Sequence, residues 1–294
     1  ISDKNAAQFI YPNFSVGLPI SHTDYLFKLE QFIELHAIDL MIPVAEPELR
    51  FFSEQNILDT IGRAKMITAS SLALEIGFDK FKTAEFLKKE KLPFPKTFLA
   101  KSLKSIDNFP VILKSKTGSG SKDIHKLNSM EDFLFYTKNS IDDYIVQEFI
   151  TDKNGEYTCG LFRSSKGEIR SLIFKRELTG GFSGYGEIVE NNDVTCLLED
   201  LAVKLNLIGS INVQLRITNN SPKIFEINPR FSSTALFRDM FGFKDLEWSI
   251  KNLLNIVEDR RIDNFIFKSA PGYKAYYHAM YDKYFNAKVI DKAL

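Results

Sequence analysis

Apolar residues follow two different spacings in the first 77 positions of the chain. They recur at helical spacing through HTDYLFKLEQFIELHA (22–37), which predicts a helix. The short apolar run IDLMIPV (38–44) is typical of a parallel strand covered on both faces. Helical spacing returns in EPELRFFSEQNILDTI (46–61) and ASSLALEI (69–76). One internal strand does not complete an α/β domain, so we expect further β-α-β material before residue 1 in the complete protein.

Shorter segments follow from residue 78 onward. A helix is predicted over DKFKTAEFLKKEKL (79–92), where LPFP ends it. A strand is predicted at PVILKSK (110–116), a helix at SMEDFLFYTKN (129–139) and a strand at YIVQEFI (144–150).

The second half of the chain predicts two hairpins separated by a loop and a helix. The first hairpin covers residues 156–178 and turns at SSKGE. The glycine-rich stretch TGGFSGYGE (179–187) predicts a loop, and VTCLLEDLAVKLNL (194–207) predicts a helix. GSINVQLRITNNSPKIFEINPR (209–230) predicts two strands joined by a polar turn.

The last hairpin alternates apolar and polar residues. In INVQLRI (211–217) the three polar residues share one face. In the second strand, alternation assigns Phe225 and Ile227 to the core face, and Glu226 and Asn228 to the opposite face. Pairing through the polar turn would bring the polar residues of both strands onto one surface.

This polar surface is a candidate metal site. The side-chain oxygens of Gln214, Glu226 and Asn228 would suit Mg²⁺, which takes one or two protein carboxylates and completes its coordination with water and phosphate oxygens. The alternative is a strand whose polar face is simply solvated.

Two other segments carry candidate nucleotide chemistry. Lys114 ends an apolar strand, and Gly118 and Gly120 follow in a serine-rich loop whose N–H groups can converge on phosphate oxygens. The loop lacks the P-loop pattern, and an ordinary turn between strands is the alternative. QEFI (147–150) ends another apolar strand before Glu156, which indicates either a base- and ribose-binding segment or a hinge with solvated acids.

Composition narrows the function classes. Lys plus Arg and Asp plus Glu both number 38, so nothing indicates a nucleic-acid or membrane-surface binder. Cys159 and Cys196 have no metal or redox spacing, and the four histidines are far apart. We expect two reduced cysteines in a cytoplasmic protein without a membrane span or signal peptide.

The order of these segments resembles the ATP-grasp superfamily: DK…LPFPKT, VILKSKTGSGS, VQEFI…GEYT and NVQLRI…FEINPR. The resemblance covers about residues 40–245 and is greatest to carbamoyl-phosphate synthetase large-subunit-like ligases. It implies an α/β (α+β) fold whose two lobes grip ATP, with residues 1–77 as a partial Rossmann-like pre-ATP-grasp domain. The ATP-grasp domain would span 78–294, with a mobile lid over 97–147 and a metal-binding lobe over 148–294.

The resemblance also implies residue roles. Lys114 and Arg230 would be the catalytic cations, with Arg230 meeting the transferred phosphoryl group or the acyl phosphate. Lysine departs from the arginine usual at this strand position in carbamoyl-phosphate synthetase. Gln214, Glu226 and Asn228 would contact Mg²⁺, for which Mn²⁺ could substitute. The implied ATP contacts are Lys80, Lys114, Gly118, Ser119, Gly120, Ser121, Gln147, Glu148, Phe149, Ile150 and Glu156.

The implied reaction is ATP-dependent ligation. A carboxylate or bicarbonate would be activated as an acyl phosphate with Mg-ATP, and an amine, ammonia or thiol would displace the phosphate. The alternatives are a non-catalytic ATP-binding or regulatory subunit and a small-molecule kinase. A homodimer is a family-based expectation. Lys175 and Arg176, just before the 179–187 loop, are candidate anion contacts, and a solvated strand end is the favoured interpretation.

Overall fold

The computed structural model describes residues 11–118, 123–151, 155–179, 182–218, 221–255 and 276–278. Within these residues the strands form three sheets, of three, four and six strands.

The first sheet lies in the N-terminal segment. Its elements are α1 (Tyr25–Leu35), β1 (Leu40–Met41), α2 (Glu46–Glu54), β2 (Thr60–Ile61) and β3 (Ala64–Met66). β1 pairs parallel to β3, and β2 pairs antiparallel to β3. Buried Ile33 and Phe52 from the two helices pack against Met66 of the sheet.

The predicted helix over 46–61 extends too far. It ends at Glu54, and the chain then forms the β2–β3 hairpin, which turns at Gly62 with φ +53°. The hairpin strands are too short for their alternation to be recognised in the sequence. A parallel pair is present, but the assignment of residues 1–77 to a partial Rossmann-like domain stays a prediction.

Two helices then connect to the four-stranded sheet. They are α3 (Ser71–Gly77) and α4 (Lys80–Lys89). α4 begins after Asp79, whose carboxylate accepts hydrogen bonds from the backbone N–H groups of Phe81 and Lys82. This N-cap fixes where the helix starts and therefore where Lys80 lies.

The four-stranded sheet carries Lys114. Its elements are β4 (Thr97–Leu99), β5 (Val111–Ser115), β6 (Ile124–Leu127), α5 (Met130–Thr137) and β7 (Tyr144–Glu148), in the strand order β4-β7-β5-β6. Val111, Leu113 and Val146 pack into one core cluster with Phe133 of α5. By alternation, Lys114 faces the other way, toward the six-stranded sheet.

The six-stranded sheet is the largest layer. Its elements are β8 (Glu156–Arg163), β9 (Ile169–Thr179), β10 (Phe182–Ile188), α6 (Asn192–Lys204), β11 (Gly209–Thr218), β12 (Ser221–Asn228), α7 (Ala235–Met240), α8 (Asp245–Leu253) and β13 (Tyr276–His278). The strand order is β12-β11-β8-β9-β10-β13, and neighbouring strands pair antiparallel within the described residues.

Both faces of this sheet are packed at one end. On one face, α3, α4 and α6 bury Leu74, Leu87 and Leu198 against sheet residues such as Val213. On the other face, Trp248 of α8 and neighbouring aromatic residues form a smaller cluster. The four-stranded sheet meets this sheet where Lys114 donates to the Phe225 carbonyl and Lys223 donates to Glu148. The region around these contacts is called the cleft.

The prediction of a loop over 179–187 is wrong for the described part. Residues from 182 form β10, in which Tyr185 pairs with Glu177 and Glu187 with Lys175. Gly184 and Gly186 break the alternation that would otherwise mark a strand. Residues 180 and 181 lie outside the described residues.

The predicted β11–β12 pairing is confirmed, but β12 contains a bulge. Leu215 pairs with Ile224 and Gln214 pairs with Glu226, so Phe225 has no opposite residue. Ile224 and Ile227 therefore both enter the core although they are three positions apart. The prediction that Phe225 shares the core face with Ile227 is wrong, because the extra residue reverses the alternation.

Candidate functional site

Lys114 is a buried cation in the cleft between the two sheets. Its side chain is only 4% exposed, and its Nζ donates to the carbonyl oxygen of Phe225 at 3.3 Å. Burial lowers the pKa of Lys114 to about 8, although the charge of Glu226 opposes this shift. Lys80 nearby lowers the pKa further. The site is therefore short of negative charge around Lys114.

The bulge at Phe225 provides the partner for this lysine. The Phe225 ring also lies on the cleft side, with its centroid 5.5 Å from Lys114 Nζ and 5.9 Å from Arg216 Cζ. Both cations are thus within range of a favourable interaction with the ring. An apolar ring at this position gives the cleft one flat surface among charged groups.

The three predicted metal-contacting residues lie on one surface. Gln214 is directly opposite Glu226, and Asn228 is opposite Asn212. Thr158 of β8 donates to Asn212 Oδ1 at 2.9 Å. Directly opposite residues of an antiparallel pair point to the same side, so this surface presents a group of oxygen atoms.

Asn212 and Thr158 were not among the predicted site residues. Alternation had already assigned Asn212 to the polar face of β11, so the sequence contained that information. Thr158 had no comparable signal, because its place depends on the pairing of β8 with β11.

Glu156 is held by two arginines from neighbouring strands. It pairs directly with Arg176 of β9 and with Arg216 of β11. Its Oε1 accepts from Nε and Nη2 of Arg176, and its Oε2 accepts from Nε and Nη2 of Arg216 at 3.2 and 2.8 Å. Burial alone would raise the pKa of Glu156, but the charges and hydrogen bonds of the two arginines outweigh it and lower the pKa.

Arg176 therefore differs from its predicted state. Its side chain is 10% exposed and paired with Glu156, so the interpretation of a solvated strand end is wrong for this residue. Lys175 is exposed, in agreement with that interpretation. Arg176, Arg216 and Glu156 line a cavity of about 670 Å³. The other residues lining it are Gly155, Lys175, Glu177, Leu178, Tyr185 and Glu187.

The segment 147–150 joins the two sheets. Gln147 Nε2 donates to Thr97 Oγ1 at 2.9 Å within the four-stranded sheet. Glu148 accepts from Lys223 Nζ of β12 at 2.8 Å, so its carboxylate is part of an ion pair across the cleft.

The last two residues of this segment contact basic side chains. The Phe149 ring centroid lies 4.4 Å from Lys126 Nζ. The Ile150 carbonyl accepts from Arg216 Nη1 at 2.7 Å. Arg216 thus joins the end of this segment to Glu156.

Lys80 lies beside the start of the glycine-rich loop. Its Nζ donates to the Gly118 carbonyl at 2.6 Å, and its backbone N–H donates to the Lys116 carbonyl at 2.9 Å. Gly118 has φ +89°, a conformation that favours glycine. The predicted contacts Ser119, Gly120 and Ser121 lie outside the described residues.

Arg230 lies where β12 leaves the sheet. Its Nη1 donates to the Phe231 carbonyl at 3.1 Å, and its backbone N–H donates to the Asn228 carbonyl at 2.8 Å. A small cleft beside it is lined by Pro43 and Ile67, which follow β1 and β3. Arg230 is therefore at the junction of the N-terminal segment and the six-stranded sheet.

The described residues contain neither a cluster of acidic, histidine or cysteine ligands nor a membrane-spanning helix. Among them, no three His, Cys, Asp or Glu side chains lie close enough together to hold a metal ion. In the same part of the chain, no helix is both long and apolar enough to cross a membrane. Both cysteines are free, with Cys159 buried and Cys196 exposed.

Comparison with known proteins gives one family. The sequence pattern of the ATP-grasp domain matches residues 78–234. A coenzyme γ-F420-2:α-L-glutamate ligase of Methanococcus maripaludis is 31% identical over 128 residues, which are 40% of this chain and 41% of the relative. A carbamoyl phosphate synthase large chain of Campylobacter jejuni is 23% identical over 202 residues, covering 59% of this chain and 18% of the relative. The chain thus spans less than half the length of either relative.

A solved structure has a similar fold. Carboxyaminoimidazole ribonucleotide synthase from Aspergillus clavatus, complexed with ATP, superimposes with a TM-score of 0.67 at 16% identity. The match covers 86% of this chain and 69% of that structure.

Proposed function

The chain belongs to the ATP-grasp domain family, and from this membership we propose that it is an ATP-dependent ligase. A substrate carboxylate, or bicarbonate, attacks the γ-phosphate of ATP to give an acyl phosphate and ADP. An amine, ammonia or thiol then attacks the acyl carbon and displaces phosphate. One observation carries the proposal: the buried cation Lys114 lies over the strand that bears Glu226 and Asn228, with its Nζ 3.3 Å from the Phe225 carbonyl.

The phosphate groups of ATP fit the charge balance of the cleft. A lysine buried without enough negative charge is destabilising, and phosphate oxygens would supply that charge. Lys80 and Lys114 bind the phosphates in this proposal. The segment 147–150 lines the base, and Glu156 meets the ribose.

The oxygen donors of the cleft fit Mg²⁺. Gln214 and Glu226 are directly opposite each other, and Asn228 lies two residues beyond Glu226 on the same strand. One carboxylate and two amide oxygens are too few for a site made of protein alone, which suits an ion that also binds phosphate oxygens. When bound, Mg²⁺ (or Mn²⁺) would neutralise charge on the phosphates. The chain's part is to aim the Glu226 side chain into the cleft.

Arg230 serves the carboxylate substrate in this proposal. It lies beyond the metal-facing residues, at the junction with the N-terminal segment. A guanidinium at that place can neutralise the transferring phosphoryl group or the acyl phosphate. Closure of the two sheets excludes water, which would otherwise hydrolyse the intermediate.

The names of the two relatives indicate which nucleophiles to test first. Because one of them is named a glutamate ligase, α-amino acids are the first amines to test. Ammonia with bicarbonate comes second, because the other is a carbamoyl phosphate synthase chain. The carbamoyl-phosphate-synthetase-like assignment, the domain limits, the homodimer and the cytoplasmic location all stay predictions.

The test combines a ligase assay with a trap. The protein is incubated with Mg-ATP, hydroxylamine and a panel of carboxylic acids, and ADP, phosphate and hydroxamate are measured. Acid-dependent hydroxamate, lost in Glu226→Gln, supports the ligase. Acid-dependent ADP without hydroxamate would identify a kinase instead. Mg-ATP binding without turnover on any acid would favour a regulatory subunit, and no Mg-ATP binding would refute the proposal.

A further inference from the structure

Arg216 contacts three parts of the cleft, and it was not among the predicted site residues. It lies on β11, two residues beyond Gln214 on the same face. Its Nη1 donates to the Ile150 carbonyl at 2.7 Å and its Nη2 donates to Glu156 Oε2 at 2.8 Å. Its Cζ lies 5.9 Å from the Phe225 ring centroid. One side chain thus contacts Ile150 at the end of segment 147–150, the carboxylate of Glu156 and the ring of Phe225.

The carboxylate of Glu156 has no acceptor position left in this arrangement. Each of its oxygens accepts two N–H groups, one pair from Arg176 and one pair from Arg216. An ionised carboxylate offers about four acceptor positions. A ribose hydroxyl can therefore bond to Glu156 only where an N–H group gives way.

The distances indicate which contact gives way. The Arg216 Nε to Glu156 Oε2 distance is 3.2 Å, and that is the longest of the four contacts. If a hydroxyl replaces it, Arg216 Nη2 still donates to the same oxygen at 2.8 Å and Nη1 still donates to the Ile150 carbonyl. Arg216 is also the more accessible arginine, with 25% of its side chain exposed against 10% for Arg176. The ribose would then reach Glu156 from the Arg216 side without displacing the guanidinium.

The planar guanidinium is suited to this double role. It presents several N–H groups in fixed directions, so it can hold a carbonyl and a carboxylate at the same time. A lysine ammonium lacks that fork. The two arginines also keep Glu156 charged at neutral pH, because they lower its pKa despite burial.

We propose that Arg216 is a positioning residue for the nucleotide: it aims Glu156 at the ribose hydroxyls and fixes the Ile150 end of the base-lining segment. This inference rests on the proposed ATP site. It predicts that Arg216 contributes to the distinction between ATP and 2′-deoxy-ATP, because that distinction depends on how Glu156 is aimed at the ribose. A residue with a merely structural role would change stability without changing this ratio.

The experiment measures the affinities of ATP and 2′-deoxy-ATP by calorimetry in the presence of Mg²⁺. Wild-type protein should prefer ATP about tenfold, the value of one good charged hydrogen bond. Arg216→Gln and Arg216→Lys should bind ATP more weakly by about tenfold, and their preference should fall to about threefold or less. Glu156→Gln should lose the preference for ATP over 2′-deoxy-ATP as well. The double variant with Glu156→Gln and Arg216→Gln should show no further loss of this preference.

Arg63→Gln is the matched control, because Arg63 forms an exposed ion pair with Asp39 at 2.8 Å away from the cleft. It should leave both affinities at their wild-type values. If wild-type protein binds neither nucleotide, the proposed function itself fails. If it binds and prefers ATP but folded Arg216 variants keep the full preference, the ATP site stands and this inference is refuted. The lysine variant covers the case in which Arg216→Gln does not fold.

Discussion

Replacing Lys114 by methionine should stabilise the ligand-free protein while abolishing ATP turnover. Burial lowers the pKa of Lys114 from 10.5 to about 8, so at neutral pH the charged form is disfavoured by about 3 kcal/mol. Methionine has a similar length and no charge. It leaves the Phe225 carbonyl without this donor, which costs about 1–2 kcal/mol. The expected net gain in the free energy of unfolding is about 1–2 kcal/mol.

This gain should depend on pH in a defined direction. An unfolded lysine has its pKa near 10.5 and folded Lys114 near 8. Between these values the unfolded state binds more protons, so the stability of the wild-type protein rises with pH across this window. The free-energy cost of burying the charged lysine is complete at pH values below the folded pKa and absent at pH values above the unfolded pKa. The methionine variant lacks this titration, so its advantage over wild type should shrink between about pH 8 and about pH 10.

The assay is urea unfolding of both proteins at about pH 7 and about pH 10. Lys104→Met is the control, because Lys104 is exposed and should give nearly the same stability as wild type at both values. A Lys114→Met protein that is less stable than wild type at neutral pH would refute the reasoning. An advantage that stays constant with pH would refute it equally, because the gain would then come from something other than the buried charge.

Three further substitutions test the cleft and its support. Glu226→Gln should abolish turnover with an unchanged melting temperature, and a wild-type rate would remove Glu226 from the proposed metal site. Gly77→Ala should lower the free energy of unfolding in urea by about 1–3 kcal/mol, because the alanine Cβ would lie 2.6 Å from Pro229 Cδ. An unchanged free energy of unfolding would contradict this close contact. Asp245→Asn should lower the free energy of unfolding by about 3–5 kcal/mol, because its partner Arg238, at 2.9 Å, is fully buried. A loss below about 1 kcal/mol, typical of an exposed ion pair, would contradict this prediction.

The sequence predicted the parts of the fold that depend on local periodicity. The helices α1 and α6, the β8–β9 hairpin and the β11–β12 hairpin all follow apolar spacing, and the structure has them. β10 was missed because two glycines interrupt its pattern, and its strand form depends on pairing with β9. The short strands β2, β4 and β6 are too brief to show alternation, and they too depend on their neighbours.

For the candidate site, alternation correctly placed Gln214, Glu226 and Asn228 on one surface. Alternation could not predict the bulge, because nothing in the sequence IFEIN (224–228) indicates an extra residue. It also could not find that Arg176 and Arg216 both bind Glu156, because these residues come from three strands and meet only through register. Charge contacts between distant strands are fixed by the tertiary fold rather than by local sequence.

The extra residue at Phe225 also affects how the last hairpin chooses its register during folding. If β12 paired with β11 without the bulge and kept Ile224 in the core, alternation would place Glu226 in the core and turn Ile227 toward the cleft. An unpaired carboxylate in an apolar core costs several kcal/mol, and the exposed isoleucine adds to that cost. The misregistered hairpin is therefore disfavoured from the moment it packs. The acid proposed to contact the metal ion thus also helps select the correct register.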